Sequence, residues 1–304
     1  MNLISSVDMS KGDIENIFRI ADEFNGGVFS FVDSGTTLAL LFEKPSTRTR
    51  VSFEAAMIKL GGESIYIDAS TSQLSRGETI DDTARVLSSY VDMIAARMRR
   101  HCDLVQLAKH SSVPVINALT DLEHPCQALS DLYTIKSVKG RIEGLRIAFV
   151  GDIAANTANS LMVSGTTMGA AIALVGPRRC IPNSKYLEAA RKRGTVGVYS
   201  DMKEGLKDAD VIYTDTFVSM GQEKDAKKRQ MLFAGYQVNR KLLGYAKKNA
   251  IVMHCLPAHR GEEITSDVLD GRQSAVWKQA ANKMPVEKAI LLYLYKSKRK
   301  DEGF

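Results

Sequence analysis

The sequence predicts an α/β protein of two domains, each a mostly parallel sheet flanked by helices. Three observations carry that expectation. Short apolar runs alternate with amphipathic stretches along the chain, the rhythm of β-α-β units. The rhythm halts at a turn-rich, charged stretch, 136–144 (KSVKGRIEG), and then starts again. The length, 304 residues with 44% apolar and 25% charged, suits two domains of about 150 residues each. Fibrous, disordered and disulfide-knotted chains are excluded. The four cysteines lie far apart with no C-x-x-C pair, so neither a zinc site nor a disulfide framework is expected. No apolar run approaches the ~18 residues a membrane helix needs, and the first residues lack the basic-then-apolar pattern of a signal peptide. A soluble cytoplasmic protein with reduced thiols is the expectation.

The first domain is placed at 1–136. Its lead-in, 10–24, reads as an amphipathic helix because Ser10 and Asp13 have the spacing of a capping box. Strands are expected at 37–42 (TLALLF), 64–67, 91–96 and 113–117, where apolar runs are bounded by turn residues. Helices are expected between and after them at 48–60, 80–90, 103–110 and 125–136. The last of these starts on Pro125, a position where the missing N–H costs nothing. The second domain, 137–284, repeats the pattern with strands at 146–150, 171–175, 196–199, 210–213, 251–254 and 275–277, and helices at 156–168, 184–193 and 241–248. A final helix over 285–298 is apolar on one face (Val286, Ala289, Ile290, Leu291, Leu294). That face can pack on either half; 285–304 is assigned to the first domain.

The net charge of +6, from 41 basic and 35 acidic residues, is compatible with a small anionic substrate or with nucleic acid. A nucleic-acid surface clusters Lys and Arg among aromatics, whereas here most basic residues are interspersed with Asp and Glu, so no nucleic-acid partner is expected. Two dense patches, 224–229 (KDAKKR) and 296–300 (KSKRK), read as solvated helix ends.

The sharpest local signal is 42–50 (FEKPSTRTR). A buried strand runs through a proline turn into Ser46, Thr47, Arg48, Thr49 and Arg50, which open a helix, so backbone N–H groups, hydroxyls and guanidinium groups converge. Such a point binds phosphate: the helix dipole supplies about half a positive charge, and Arg48 can add a bidentate contact. The second signal is 121–127 (DLEHPCQ), with His124 and Gln127 beyond a strand of the same half-sheet, where parallel sheets bind ligands. Arg97, closing the apolar strand VDMIAAR, is a third candidate on that edge; it either snorkels to the surface or meets an anion. In the second domain, 253–265 (MHCLPAHRGEEIT) leaves a buried strand at Cys255. That thiol is a nucleophile, a polar contact or a buried strand residue, and the absence of a base at triad spacing disfavours covalent catalysis. In 215–222 (DTFVSMGQ), Asp215 suits an ammonium and Ser219 a carboxylate. The turn 151–160 (GDIAANTANS) keeps one glycine where a dinucleotide site needs G-x-G-x-x-G, and no P-loop is present, so NAD, FAD and nucleoside-triphosphate chemistry are not expected.

Along nearly its whole length the chain resembles the aspartate and ornithine carbamoyltransferase family. Ser46 to Arg50 matches the family's S-T-R-T-R, and His124-Pro125-Cys126-Gln127 its H-P-x-Q, in the same order and spacing. Asp215 with Ser219-Met220-Gly221 is similar to D-x-x-x-S-M-G, and His254-Cys255-Leu256-Pro257 to H-C-L-P, both features of the ornithine branch. The resemblance implies that Ser46, Thr47, Arg48 and Thr49 hold the phosphate of carbamoyl phosphate. It places Arg97, His124, Pro125, Cys126 and Gln127 about the carbamoyl group, with Arg97, His124 and Cys255 as the catalytic set. Gln73 (in SQLSRGET) resembles a glutamine that reaches into a neighbouring subunit, which implies a homotrimer, or a multiple of trimers, with shared sites. Asn156, Asp215, Ser219 and Met220 match ornithine-binding positions, and Cys255 and Leu256 the loop near the side-chain amine. Two departures stand out. Lys283, in QAANK, replaces the arginine of the usual Q-A-E-N-R, keeping the charge without the fork, and Ala155 precedes Asn156 where many relatives have two asparagines.

The implied reaction moves a carbamoyl group to the δ-amine of L-ornithine. That amine is lysine-like, with a pKa near ~10.4, so roughly one molecule in a few thousand is a free nucleophile at pH 7. The expected site therefore disfavours the ammonium near Cys255, stabilises charge on the carbonyl oxygen through Arg97, His124 and Thr49, and stabilises departing phosphate through Arg48. No metal and no organic cofactor are expected, since carbamoyl phosphate is already activated. Related enzymes that carbamoylate putrescine, an acylated ornithine or aspartate remain an alternative, because few side chains choose the acceptor.

Overall fold

A computed structural model describes the backbone of residues 1–218 and 225–301 and the side chains among them through 299. The chain divides into two compact units, Met1–Ser130 with the segment from Lys283 onward, and Asp131–Asn282. The first division falls inside a helix, Pro125–Lys139, and not in the turn-rich stretch that follows it.

Unit 1 begins with α1 (Lys11–Asn25), where the Ser10 hydroxyl accepts from the Asp13 N–H at 3.1 Å and the Asp13 carboxylate from the Ser10 N–H at 2.9 Å, closing the capping box. Four strands follow, β1 (Thr37–Phe42), β2 (Glu63–Asp68), β3 (Met93–Arg97) and β4 (Val115–Leu119), separated by α2 (Thr47–Lys59), α3 (Ile80–Ser88) and α4 (His101–His110). The order is β2-β1-β3-β4 with every pair parallel. Residues Leu38 to Phe42 of β1 and all of β3 are buried, as parallel strands covered on both faces require, while β2 alternates at the sheet edge. Ala39, Leu41, Ile94, Ala96 and Val115 pack against Leu104 and Leu107 of α4. The register matters for function. Phe42 pairs with Asp68 and with Arg97, and Arg97 with Leu119, so the four strands end level and release their loops along one edge.

The helix α5 (Pro125–Lys139) leads to unit 2, whose strands are β5 (Arg146–Val150), β6 (Ala171–Val175), β7 (Val196–Tyr199), β8 (Val211–Thr214) and β9 (Ile251–His254). Their order is β7-β6-β5-β8-β9, again all parallel. The order in which strands are added reverses between β5 and β8, the kind of switch point where ligands bind such sheets. Val150 pairs with Thr214, and Thr214 with His254, so these loops too leave at one level. The helices are α6 (Asn156–Thr167), α7 (Ser184–Arg191), α8 (Met202–Leu206), α9 (Ala226–Phe233), α10 (Arg240–Leu243) and α11 (Ser266–Leu269), with α12 (Val276–Asp301) closing the chain.

Four expectations fail. The segment 275–277 is not a strand: α12 begins there, the Ser274 hydroxyl accepting from the Val276 N–H at 3.4 Å, and only an isolated bridge joins Ser274 to Val252. The helix-favouring run KQAANK then carries α12 through Pro285, which lies inside the helix and does not start it. The helix expected at 241–248 stops after Leu243, where Gly244 bonds back to the Arg240, Lys241 and Leu242 carbonyls. In the patch 224–229, Arg229 is not solvated. It donates to the Phe217 carbonyl at 2.7 Å, pairs with Asp152 and lies 5.2 Å over the Phe233 ring; Lys224 lies outside the described residues. No helix among the described residues is long and apolar enough to cross a membrane.

Candidate functional site

Loops at the carboxyl edge of the unit 1 sheet bring together most of the first group of candidates. After β1, Ser46 caps α2, its hydroxyl accepting from the Thr49 N–H at 3.3 Å, so the helix start is fixed by its own sequence. Thr49 is buried, while Thr47 and Arg48 are exposed. Arg97 ends β3 and is only 4% exposed. Its carbonyl accepts from the Glu43 N–H at 2.8 Å, and the Glu43 carboxylate accepts from the Arg99 N–H at 2.6 Å, so the β1 and β3 loops brace each other through one main-chain bond and one carboxylate. The Arg97 Nε, buried and without a hydrogen-bond partner, is a donor that asks for an anionic acceptor. Burial and the neighbouring Arg48 charge bring this guanidinium down to about 10, which leaves it charged at pH 7.

After β4, the buried Glu123 carboxylate fastens the loop by accepting from the Ser5 hydroxyl and, at 2.7 Å, from the Ser6 N–H. His124 follows, buried, and its carbonyl accepts the Gln127 N–H at 3.1 Å as α5 begins on Pro125. Burial, then the Lys283 and Arg97 charges, hold its imidazole well below the usual value, so at pH 7 the ring is neutral and serves as a donor or acceptor, not as a cation. Cys126 is fully buried, donates to the Asn117 carbonyl at 3.4 Å and is pushed up by burial: a packed thiol. Lys283 of α12 donates to Gln127 Oε1 at 3.3 Å. Gln73 lies apart from these contacts, exposed on the single-turn helix Gln73–Arg76 that follows β2.

In unit 2, Asp215 follows β8 and is the hub. It accepts from the Thr157 hydroxyl at 2.7 Å, the Thr216 N–H at 2.7 Å and the Cys255 thiol at 3.0 Å. Thr157 stands beside Asn156 in the first turn of α6, so the β5, β8 and β9 loops meet at one carboxylate. Burial and Asp215 push the Cys255 thiol well above its usual value, so it keeps its proton and is neither a nucleophile nor a base near pH 7. The adjoining Leu256 has φ of 57°, unusual for a branched side chain, and its N–H donates to His254 Nδ1 at 2.9 Å. That bond puts the imidazole proton on Nε2, 3.0 Å from Glu263 Oε1. Beneath lies a buried network in which Asp131 accepts from Tyr213 at 2.9 Å and from Gln279 at 2.7 Å. Asp215, His254 and Cys255 offer ligand atoms within 4.8 Å of one another, as do His259, Glu262 and Glu263. In the first trio both ring nitrogens are engaged and the thiol is protonated, a poor donor set for a metal. Ser219 and Met220 lie outside the described residues.

Sequence reasoning missed Thr157, Asp131, Tyr213, Gln279 and Glu263, which act on the candidates through hydrogen bonds set by the fold. Glu287 had a legible signal, its spacing of four from Lys283 on a helix.

Comparisons with known proteins identify the family. The family model described as aspartate/ornithine carbamoyltransferase, carbamoyl-P binding domain, matches residues 1–137, and the Asp/Orn binding domain model matches 143–294. Ornithine carbamoyltransferase of Pyrococcus abyssi is 51% identical over 265 residues, spanning 86% of this chain and 83% of that protein. The Bacillus subtilis enzyme of the same name is 46% identical over 301 residues, 97% of this chain and 94% of the relative. Among solved structures, ornithine carbamoyltransferase from Pyrococcus furiosus superposes with a TM-score of 0.91 at 47% identity, covering 95% of each chain. With both halves matched by their own domain models and relatives near one-half identity across most of its length, the chain belongs to the aspartate/ornithine carbamoyltransferase family.

Proposed function

We propose that this protein is an ornithine carbamoyltransferase, transferring the carbamoyl group of carbamoyl phosphate to the δ-amine of L-ornithine to give L-citrulline and phosphate. The observation that carries the donor half is Arg97, a buried, charged guanidinium with a partnerless Nε at the strand edge that also bears the Ser46 cap. Residues 1–136 with the final helix form the carbamoyl-phosphate domain in this reading, and 137–284 the ornithine domain. Ser46, Thr47, Arg48 and Thr49 bind phosphate; Arg97, His124 and Gln127, with Pro125, Cys126 and Lys283, surround the carbamoyl group. The acceptor reading is supported by Asp215, whose carboxylate suits the α-ammonium of an amino acid, and by the relatives' names. Asn156, Ser219 and Met220 complete that subsite, while Cys255 and Leu256 line the path of the reacting amine.

In the step itself the δ-nitrogen lone pair forms a C–N bond to the carbamoyl carbon. The carbon–oxygen bond to phosphate breaks, phosphate leaves with that electron pair, and the surplus amine proton passes to it. Arg97 and a neutral His124 stabilise negative charge growing on the carbonyl oxygen, and Arg48 the charge on phosphate. Cys255 contributes a neutral, poorly solvated wall that favours the free amine over the ammonium. The assembly is read as a homotrimer, or a multiple of one, with the exposed Gln73 reaching a neighbouring subunit's site. Four free cysteines fit a reducing cytoplasm. The test is a ureido-product assay with carbamoyl phosphate and ornithine, putrescine or aspartate. Ornithine is expected to win by at least about a hundredfold in kcat/KM; preference for either rival overturns the acceptor assignment.

A further inference from the structure

Glu287 has no part in the transfer chemistry above, yet it is fully buried on α12 one turn beyond Lys283. Its Oε1 lies 3.1 Å from the Lys283 Nζ, and Lys283, itself 6% exposed, donates to Gln127 Oε1 at 3.3 Å. On the other side the carboxylate adjoins Ser52 of α2, whose hydroxyl donates to the Thr49 carbonyl at 3.2 Å. Glu287 thus lies between the helix capped by Ser46 and the cation that sits against Gln127. Burial pushes its carboxyl up while the Lys283 charge pulls it back. A buried pair of this kind is weak as a pure stabiliser, because the cost of desolvating both charges offsets their attraction.

Its geometric effect is stronger. An ammonium has three N–H donors and no planar fork, so its direction is set by the acceptors that hold it. Gln127 accepts one of the three, and the Glu287 carboxylate stands at ion-pair distance on the same nitrogen. We propose that Glu287 is a positioning residue for the transfer reaction, its charge holding the Lys283 ammonium against Gln127 so that a remaining N–H meets the carbonyl oxygen of carbamoyl phosphate. The inference rests on the function proposed above and concerns only how its donor site is organised.

A double-mutant cycle on the full-length protein, read as citrulline formation, tests it. Glu287→Gln lowers kcat/KM for carbamoyl phosphate by about 10- to 100-fold, with KM for ornithine within about twofold of wild type. In a Lys283→Met background the same substitution changes kcat/KM by less than about threefold, because no ammonium remains to be placed. Equal losses in both backgrounds mark a merely structural role and overturn the inference while leaving the function standing. A wild-type protein that forms no citrulline overturns both. Glu287→Asp keeps the charge but shortens its reach, and serves if the glutamine variant does not fold. It is expected to melt near the wild-type temperature and to lose several-fold in kcat/KM; wild-type kinetics in this variant would also sink the inference.

Discussion

At the carboxyl edge of the unit 1 sheet the candidate side chains are cationic or neutral, namely Arg48, Arg97 and His124, with Lys283 of α12 against Gln127, while the Glu43 and Glu123 carboxylates are engaged in bracing the loops; at the same edge in unit 2 they centre on the Asp215 carboxylate and the Cys255 thiol. Burial acts on both edges with opposite results. It draws Arg97 down to about 10 and His124 well below the imidazole range, and it pushes Cys255 and Tyr213 up. In the proposed function the first edge takes the dianion and the second an amino acid whose amine must lose a proton. Two parallel sheets of the same plan place their loops alike, and loop sequence alone decides the charge each presents.

The contrast is broken most severely at its cationic side. Arg97→Ala, and in parallel Arg48→Ala, is expected to cut kcat/KM for carbamoyl phosphate by about 10²–10³-fold, the loss typical of removing a transition-state donor. Steady-state kinetics that stay within threefold of wild type would deny these residues their role. Next in size, Asp215→Asn should raise KM for ornithine by roughly 10- to 100-fold, the value of a charge-assisted hydrogen bond. Equilibrium binding of carbamoyl phosphate should be unchanged in this variant, which separates the two edges experimentally.

A smaller effect concerns pH. Because the folded protein holds His124 neutral below its usual value, only the unfolded chain takes up that proton as pH falls below ~6.5. Stability is then lost with falling pH until the folded value is reached, and is unaffected above the unfolded one. Urea titrations between pH 7.5 and 5 should show that His124→Asn flattens this slope; parallel slopes would mean that the imidazole is not held neutral. Smallest is a reactivity ranking. With limiting iodoacetamide at pH 8, the exposed Cys102 should be alkylated first, and Cys255 and the buried Cys126 last, as followed by peptide mass spectrometry.

What the sequence discloses and what it conceals follow from locality. Strands buried on both faces, such as TLALLF, announce themselves as unbroken apolar runs, and Ser10 with Asp13 announces a helix start. The segment 275–277 misleads because three apolar residues after a turn satisfy a strand and a helix start equally well; the deciding contact is the Ser274 hydroxyl. Arg229 looks like part of a solvated patch because its partners, Phe217 and Asp152, are 12 and 77 positions away. Most of the candidates stand out because they sit just after a strand, whereas Lys283, inside α12, and Gln73 stand out only through the family resemblance. The candidates' supports, Glu123, Asp131, Tyr213 and Glu263, do not, since a buried side chain's partner is known only once the strands are ordered.

The brace between Glu43, Arg97 and Arg99 ties the two donor-side loops through one main-chain bond and one bond to the Glu43 carboxylate, with no help from the Arg97 and Arg99 side chains. A lineage holding such a frame is free to remodel the loops of unit 2 for new amines, since the activated half of the reaction stays intact while its recipient changes. Diversification of acceptors on an unaltered donor chassis is the evolutionary outcome this architecture favours.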